Sequence, residues 1–549
     1  MSEATNLWWR DGVIYQIYPR SFQDSNGDGV GDLRGILSRL DYLVKLGVDA
    51  AWVSPFYPSP MADFGYDVAN YTDVDPLFGT LADFDALIAA MHQRGLRLIL
   101  DFVPNHTSNQ HPWFLESRTS RCNPKRDWYL WRDGSVDGGP PNNWMSNFGG
   151  PGWTFDQTTG QYYYHSFLAE QPDLNWRNPE VRTAMYAAMR FWLDRGVDGF
   201  RMDVLWLLIK DDQFRDNPPN PDFRGGSSLW SVLPVYTADQ PETQTIVQEM
   251  RALLDEYSAR VLIGEIYLPI EALVKYYGAC AEGQGAEGQG AEGPTPHLLG
   301  AQMPFNFHLI QTGWQAQLIA GLIRQYEAAL PAGAWPNWVL GNHDQKRLAS
   351  RIGVAQARVA AVLLLTLRGT PTLYYGDELG MPDARIAPEQ VVDPAEKNQP
   401  GIGQGRDPER SPMLWENREN AGFTSPGAAT WLPLVWDWPG FTVETEEADA
   451  GTMLKLYRRL LELRRARPEL HGGAISEVIA ADGVLSYLRS SGAGRIQVFL
   501  NMSGQERWME CGPGRLLLSS FLDREHPVVG GTIHLRRDEA VVILMGLDA

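Results

Sequence analysis

Along this chain, short apolar runs alternate with longer segments whose apolar residues recur at spacings of three and four. The run VIYQIYPRSF (13–22) precedes DLRGILSRLDYLVKLG (32–47), in which Leu33, Ile36, Leu37, Leu40, Leu43 and Val44 share one helical face. AAWVSPF (50–56) precedes TLADFDALIAAMHQRG (80–95), which Thr80 and Asp83 open as a capping box. RLILDFVP (97–104) is the third strand. Its helix, NPEVRTAMYAAMRFWLDRG (178–196), begins far downstream with Asn178 as N-cap and Pro179 in the first turn. The alternation continues with strands at 199–205, 260–266, 303–310, 337–344 and 370–380 and helices at 242–258, 268–278, 315–330, 355–369 and 451–466. Strand and helix in strict alternation, eight times over, predict a parallel sheet closed into an α/β (β/α)8 TIM barrel rather than an open doubly wound sheet.

Two stretches break the rhythm. Residues 105–173 separate the third strand from its helix and are rich in Trp, Tyr, Gly and Pro, as in PPNNWMSNFGGPGWTF and QYYYHSFLAEQPDLNW. So long an aromatic excursion predicts an inserted subdomain. From 471 the runs GVLSYLR, RIQVFLN, GRLLLSS and AVVILMG, spaced by Gly and polar turns, predict a small antiparallel β-sandwich. The expected organisation is therefore barrel over 1–104 and 174–470, inserted subdomain over 105–173, and C-terminal β domain over 471–549. The repeat AEGQGAEGQGAEG (281–293) offers no core face and reads as a surface loop.

Composition narrows the field of partners. A net charge of −20 argues against nucleic acid and anionic membrane surfaces. Three scattered cysteines, Cys122, Cys280 and Cys511, suggest neither a disulfide framework nor a zinc site. With no basic start followed by an apolar run, and AAVLLLTL as the longest apolar stretch, the expectation is a cytoplasmic protein without a membrane span, monomeric or a small homo-oligomer. Aromatic residues at 11% suit sugar stacking, and equally suit a large core.

In a β/α barrel, chemistry gathers at the C-terminal ends of the strands. Those ends carry Asp101, Asn105 and His106, then Arg201 and Asp203, Glu265, and His343 with Asp344; the loop after strand two holds Tyr66 and Asp67. Acids crowded at one mouth repel one another and raise each other's pKa, an arrangement that suits function better than structure. Glycoside hydrolysis uses such a pair: one carboxylate ionised to attack, one protonated for the leaving oxygen. Alternation puts Arg201 on the face of Asp203, where it would keep that acid ionised. Glu265 follows VLIG with no adjacent cation, a setting for a raised pKa.

DFVPNH, GFRMDV, GEIY and NHD, in this order, resemble the four signature regions of the α-amylase superfamily of retaining glycoside hydrolases. GVDAAWVSP, QPDLN and GTPTLYYGDELG resemble its further regions, QPDLN in the form of the oligo-1,6-glucosidase/α-glucosidase subgroup. The resemblance implies an exo-acting α-glucosidase on short oligosaccharides. Asp203 would be the nucleophile, Glu265 the general acid and base, and Asp344 the transition-state stabiliser. Tyr66, Asp67, His106, Phe167, Arg201 and His343 would surround the glucose. In GRDPERSP, Arg406 is expected to pair with Asp67 at the pocket floor, with Arg410 the competing choice; RSPMLW departs from the family's RTPMQW. Val204, after the nucleophile, tends to accompany α-1,6 over α-1,4 activity in similar enzymes. A transglucosylase or isomerase, such as a trehalose synthase or sucrose isomerase, is the alternative, and GEIY argues mildly against the trehalose-synthase branch.

The stretch DSNGDGVGD (24–32) reads like the start of an EF-hand, with Gly29 at the bend. Position twelve is Gly35 rather than a bidentate Glu, and a strand precedes the loop, so a calcium sensor is excluded. The side chains of Asp24, Asn26, Asp28 and Asp32 and the Val30 carbonyl could still serve a hard cation. The resemblance implies structural Ca2+ or Mg2+ there and no organic cofactor.

Overall fold

The computed structural model describes residues 7–280, 297–524 and 528–546. The 281–293 repeat lies outside the described residues. Eight parallel strands are present: β1 (Ile14–Ile17), β2 (Ala50–Val53), β3 (Arg97–Phe102), β4 (Gly199–Met202), β5 (Val261–Gly264), β6 (Met303–Pro304), β7 (Asn337–Val339) and β8 (Thr370–Tyr374). They run in the order β7-β8-β1-β2-β3-β4-β5-β6. Between the ends of that order the link is a side chain: the Asn306 amide donates to Asn337 Oδ1 at 2.9 Å.

The two-residue period of a strand sorts these residues. Ile14, Ala50, Trp52, Ile99, Val261, Ile263, Met303 and Val339 form the cluster inside the sheet. Their neighbours Tyr15, Ile17, Ala51, Val53, Leu98 and Leu100 belong to the larger cluster shared with the helices. Each full burial of such an apolar side chain contributes about 1.5–3 kcal/mol. The same parity, continued upward, sends Asp101 after Ile99, Arg201 and Asp203 after Gly199, and Glu265 after Ile263 to one enclosed face. Gly199 permits this packing: a Cβ there would stand 2.4 Å from Val261 and wedge β4 away from β5.

Local signals decide the helices. Helix Leu81–Gln93 opens with the Thr80–Asp83 capping box, both arms formed. In helix Pro179–Asp194 the Asn178 side chain accepts from the Glu180 amide. Most strands end earlier than their apolar runs suggest, and three segments change more than that. The first helix breaks at Arg39 into Leu33–Ser38 and Leu40–Leu46. Segment 268–278 gives one α-turn, Ile270–Leu273, and a 3-10 turn. The sixth strand stops at Pro304, which has no N–H for a ladder; beyond it Asn306 Oδ1 accepts from the His308 amide and starts a helical turn.

The insertion after β3 contains a small antiparallel sheet of Trp131–Arg132, Gln161–Tyr164 and Trp153–Asp156 over a core of Leu130, Trp144, Trp153 and Tyr164. Helix Met453–Ala466 leads to the C-terminal sheet: β9 (Ala474–Ala481), β10 (Val484–Ser491), β11 (Gly494–Asn501), β12 (Arg507–Ser519), β13 (Val528–Leu535) and β14 (Ala540–Met545). It is one antiparallel sheet in the order β9-β10-β11-β14-β12-β13. Leu485, Tyr487, Ile496 and Val498 join the barrel's core, while Val484, Phe499, Leu516 and Ile543 build a second cluster on the opposite parity. Among the described residues no helix is long and apolar enough to cross a membrane.

Candidate active site

The strand ends converge on a cavity of about 530 Å³ whose walls include Asp203, Glu265, Asp344, Tyr66, His106 and Phe167. On one side stands Arg201, fully buried. Its Nη1 donates to Asp101 Oδ1 and Asp203 Oδ1, each at 2.8 Å, and its Nη2 lies 2.7 Å from Glu265 Oε2. Arg201 therefore serves three acids, Glu265 among them, and the expectation that Glu265 lacks a neighbouring cation is corrected. Strand alternation fixes sequence neighbours; the guanidinium's second edge reaches the adjacent strand.

One positive charge among three carboxylates leaves a deficit. Burial, then the Glu265 charge, push Asp203 well above the usual carboxylate range in spite of Arg201. Burial raises Glu265 as well, against the pull of Arg201. Burial lifts Asp101 to about 7. The group holds a proton among its members rather than assigning ionisation to Asp203 by sequence proximity alone.

The other side has the opposite balance. Asp344 is 24% exposed at its side chain and takes Arg410 Nη2 at 2.7 Å and Arg406 Nη1 at 3.4 Å. Burial disfavours its carboxylate, yet His343, Arg410 and Arg406 hold it well below the usual range. Burial drives His343 itself toward the neutral form, so the two arginines supply the lasting charge. The His343 ring lies parallel to Tyr66 at 9°, its Nε2 2.5 Å from the Tyr66 hydroxyl, which also donates to Asp101 Oδ2 at 2.9 Å. Thus one tyrosine joins the two sides.

The expected Arg406–Asp67 pair does not form. Arg406 Nη2 donates to Asp63 Oδ1 and Asp393 Oδ1, both at 2.7 Å. Asp67 is turned away and accepts from the Ser59 hydroxyl at 2.8 Å and from the Ala62 and Asp63 amides. In DFGYD the two acids lie four residues apart in a tight loop, and the backbone donors gather around the second, leaving the first for the cavity. Asp63 was missed, and the only sequence signal was its place in that same motif. Asp393, held down to about 2 against burial by Arg406, was missed for lack of any motif.

His106 is buried and pushed down to about 4, with Nε2 3.1 Å from the Tyr66 carbonyl, and its ring is 5.3 Å from Phe167. Asn105 Oδ1 accepts from Lys210 Nζ at 2.7 Å, and Lys210 is ion-paired with Asp173, so the insertion is pinned to β3 beneath the cavity. Val204 adopts φ 39° and ψ 46°, a left-handed conformation costly for a β-branched residue. That turn aims its amide at Glu265 Oε2, 2.8 Å away. Trp206 and Tyr267, also unforeseen, line the cavity with ring centroids 5.6 Å apart.

In the 24–32 loop, Asp24 accepts from the amides of Asn26, Gly27 and Gly29, Asn26 from Asp28, and Asp28 from Val30. Asp32 caps the first helix through the Gly35 amide at 2.7 Å and binds Ser25. Gly29 has φ 87°, and a Cβ there would meet the Ala429 carbonyl. Among the described residues no group of three or more His, Cys, Asp or Glu side chains stands where it could hold a metal ion. The loop's oxygen donors suit a hard cation in kind, while Asp32 is already committed to its helix.

Comparison with known proteins decides the family: the profile described as alpha amylase, catalytic domain, matches residues 16–473. The chain belongs to that alpha-amylase family. Within it, a probable alpha-glucosidase of Rhizobium meliloti (strain 1021) is 43% identical over 95% of this chain and 96% of its own. An oligo-1,6-glucosidase of Halalkalibacterium halodurans is 38% identical over 98% and 99%. Among solved structures, the alpha-glucosyl transfer enzyme XgtA superposes with a TM-score of 0.90 at 39% identity, covering 98% of this chain and 99% of that one. The trehalulose synthase MutB from Pseudomonas mesoacidophila MX-45 gives 0.87 at 32%, covering 98% and 99%. This alpha-amylase family member is a glycoside hydrolase.

Proposed function

We propose that this glycoside hydrolase is an exo-acting, retaining α-glucosidase of short oligosaccharides. The observation that supports this most is the division of one cavity into a proton-holding trio around Arg201 and an ionised Asp344 between two arginines. Asp203 attacks the anomeric carbon while Glu265 gives its proton to the departing oxygen, leaving a covalent glucosyl ester. Glu265 then takes a proton from water, which displaces Asp203 at the same carbon. Asp344 and His343 hold sugar hydroxyls, and Asp63 with Arg406 closes the floor. Two inversions retain configuration, so proton NMR of early hydrolysis should show α-glucose released first. Release of β-glucose first would overturn the assignment of Asp203. Val204, in the cavity wall, favours α-1,6 over α-1,4 bonds; a strong preference for maltose over isomaltose would remove that element.

A second reading is glucosyl transfer to a sugar hydroxyl in place of water. It is favoured by the likeness to XgtA and to trehalulose synthase, and by an apolar wall of Trp206, Trp230 and Tyr267 that could shelter an acceptor. Product analysis on sucrose and maltose separates isomers or longer sugars from free glucose. For the 24–32 loop we propose Ca2+ or Mg2+ held by Asp24, Asn26, Asp28 and the Val30 carbonyl, with no part in the reaction. Chelation of protein first shown to contain metal should lower its melting temperature.

A further inference from the structure

Beyond the throat at Asp344 the cavity divides. One branch is aromatic, with Trp206, Trp230 and Tyr267. The other, of about 440 Å³, is the more polar of the two and adds Lys346, Arg351 and Glu409; the two share Asn147, Phe148, Leu229, Asp344, Gln345, Gln404 and Arg406. Nothing in the reaction above uses Glu409. It sits in the turn Pro408–Arg410, directly before the arginine that holds Asp344, and its backbone carbonyl accepts from the Tyr374 hydroxyl at 3.0 Å. The residue is 2% exposed, and its Oε2 is buried with no hydrogen-bond partner among the described residues. A buried polar atom without a partner is uncommon and calls for an explanation.

We propose that the polar branch binds the sugar unit that leaves, and that the Glu409 carboxyl hydrogen-bonds one of its hydroxyls. The proposal rests on the glucosidase reading and adds what discriminates between leaving groups. A glycosyl leaving group carries several hydroxyls, each needing a donor or acceptor when water is excluded; the amides of Gln345, Gln404 and Asn147, where the two branches meet, and the Glu409 carboxyl, found in this branch only, offer both. An aryl leaving group needs none of these and suits the aromatic branch. Burial, with Asp383 nearby, raises Glu409 well above the usual carboxylate range against the pull of Arg410. The carboxyl thus carries a proton and can donate as well as accept.

The test compares kcat/KM for isomaltose and for p-nitrophenyl α-glucoside in the full-length protein and its Glu409→Ala variant. The ratio of the first to the second should fall about five- to ten-fold, the size of one hydrogen bond lost with a neutral partner. Glu409→Gln, which keeps a donor and an acceptor, should restore the ratio to within about two-fold. Should alanine unfold the turn, Glu409→Met keeps the volume without the hydrogen bonds and is read by the same ratio. An unchanged ratio in the alanine or methionine variant, whether both activities fall together or neither changes, would overturn the proposal. Wild-type protein inert toward both substrates would remove the glucosidase reading itself.

Discussion

The two sides of the cavity are built from the same residue types in different proportion. Around Arg201, one guanidinium faces Asp101, Asp203 and Glu265; around Asp344, two guanidiniums face that carboxylate, and one of them, Arg406, also serves Asp63 and Asp393. Burial is common to both and raises every acid. The count of cations decides the outcome: Asp203, Glu265 and Asp101 go up, and Asp344 goes down. A buried acid's proton affinity is thus a property of the cluster, and a single neighbour along the chain is a poor guide to it.

The sharpest way to break this comparison is to remove one carboxylate from each side. Asp203→Asn should reduce kcat by about 10⁴-fold or more, with circular dichroism unchanged, because in the proposed mechanism Asp203 is the group that attacks the anomeric carbon. Asp344→Asn should lower kcat/KM by a smaller factor, about 10²–10³, since it forms no covalent bond. Equal losses would erase the distinction in roles.

Removing the lone cation tests the deficit itself. Arg201→Leu should destabilise the fold by about 3–5 kcal/mol in urea unfolding, because three buried acids lose their counter-charge. The double variant Arg201→Leu/Glu265→Gln should recover part of that loss.

Asp63 and Asp67 separate function from support within one motif. Asp63→Asn should raise KM about ten-fold or more by loosening Arg406 at the cavity wall, where the proposed mechanism seats the glucose. Asp67→Asn should leave KM near wild type and cost about 1–2 kcal/mol of stability through its lost backbone hydrogen bonds.

The smallest effect concerns pH. Asp101 rises from its ordinary range to about 7 on folding, so the folded protein binds its proton more tightly than the unfolded chain does. Its contribution to stability is fully present below about pH 4 and is lost as pH rises through about 7. Asp344 is lowered, so its contribution is present above about pH 4 and is lost as pH falls further. Asp101→Asn should therefore flatten the decline in stability between pH 5 and 7.5, by roughly 1–2 kcal/mol, in urea titrations at the two ends.

The pattern of apolar positions sufficed for the barrel, since period two and period 3.6 each dictate one way to bury a face, and for the inward parity of Arg201, Asp203 and Glu265. Segments whose length depends on a single breaker, such as the strand ending at Pro304, were less legible. So was the C-terminal region, where alternation predicts a β-sandwich and the strands join in one six-stranded antiparallel sheet.

By itself, the sequence determined which residue types meet at the mouth, because each stands at the end of a strand of known parity. Only the tertiary structure decided which of them touch. Arg201 reaches Glu265 across a neighbouring strand, Arg406 chooses Asp63 and Asp393 over Asp67, and Glu409 lines a cavity with its Oε2 unpaired among the described residues. The reason is physical: parity and periodicity act over a few residues of chain, whereas these ion pairs are settled by distances between segments that lie from 13 to 343 residues apart.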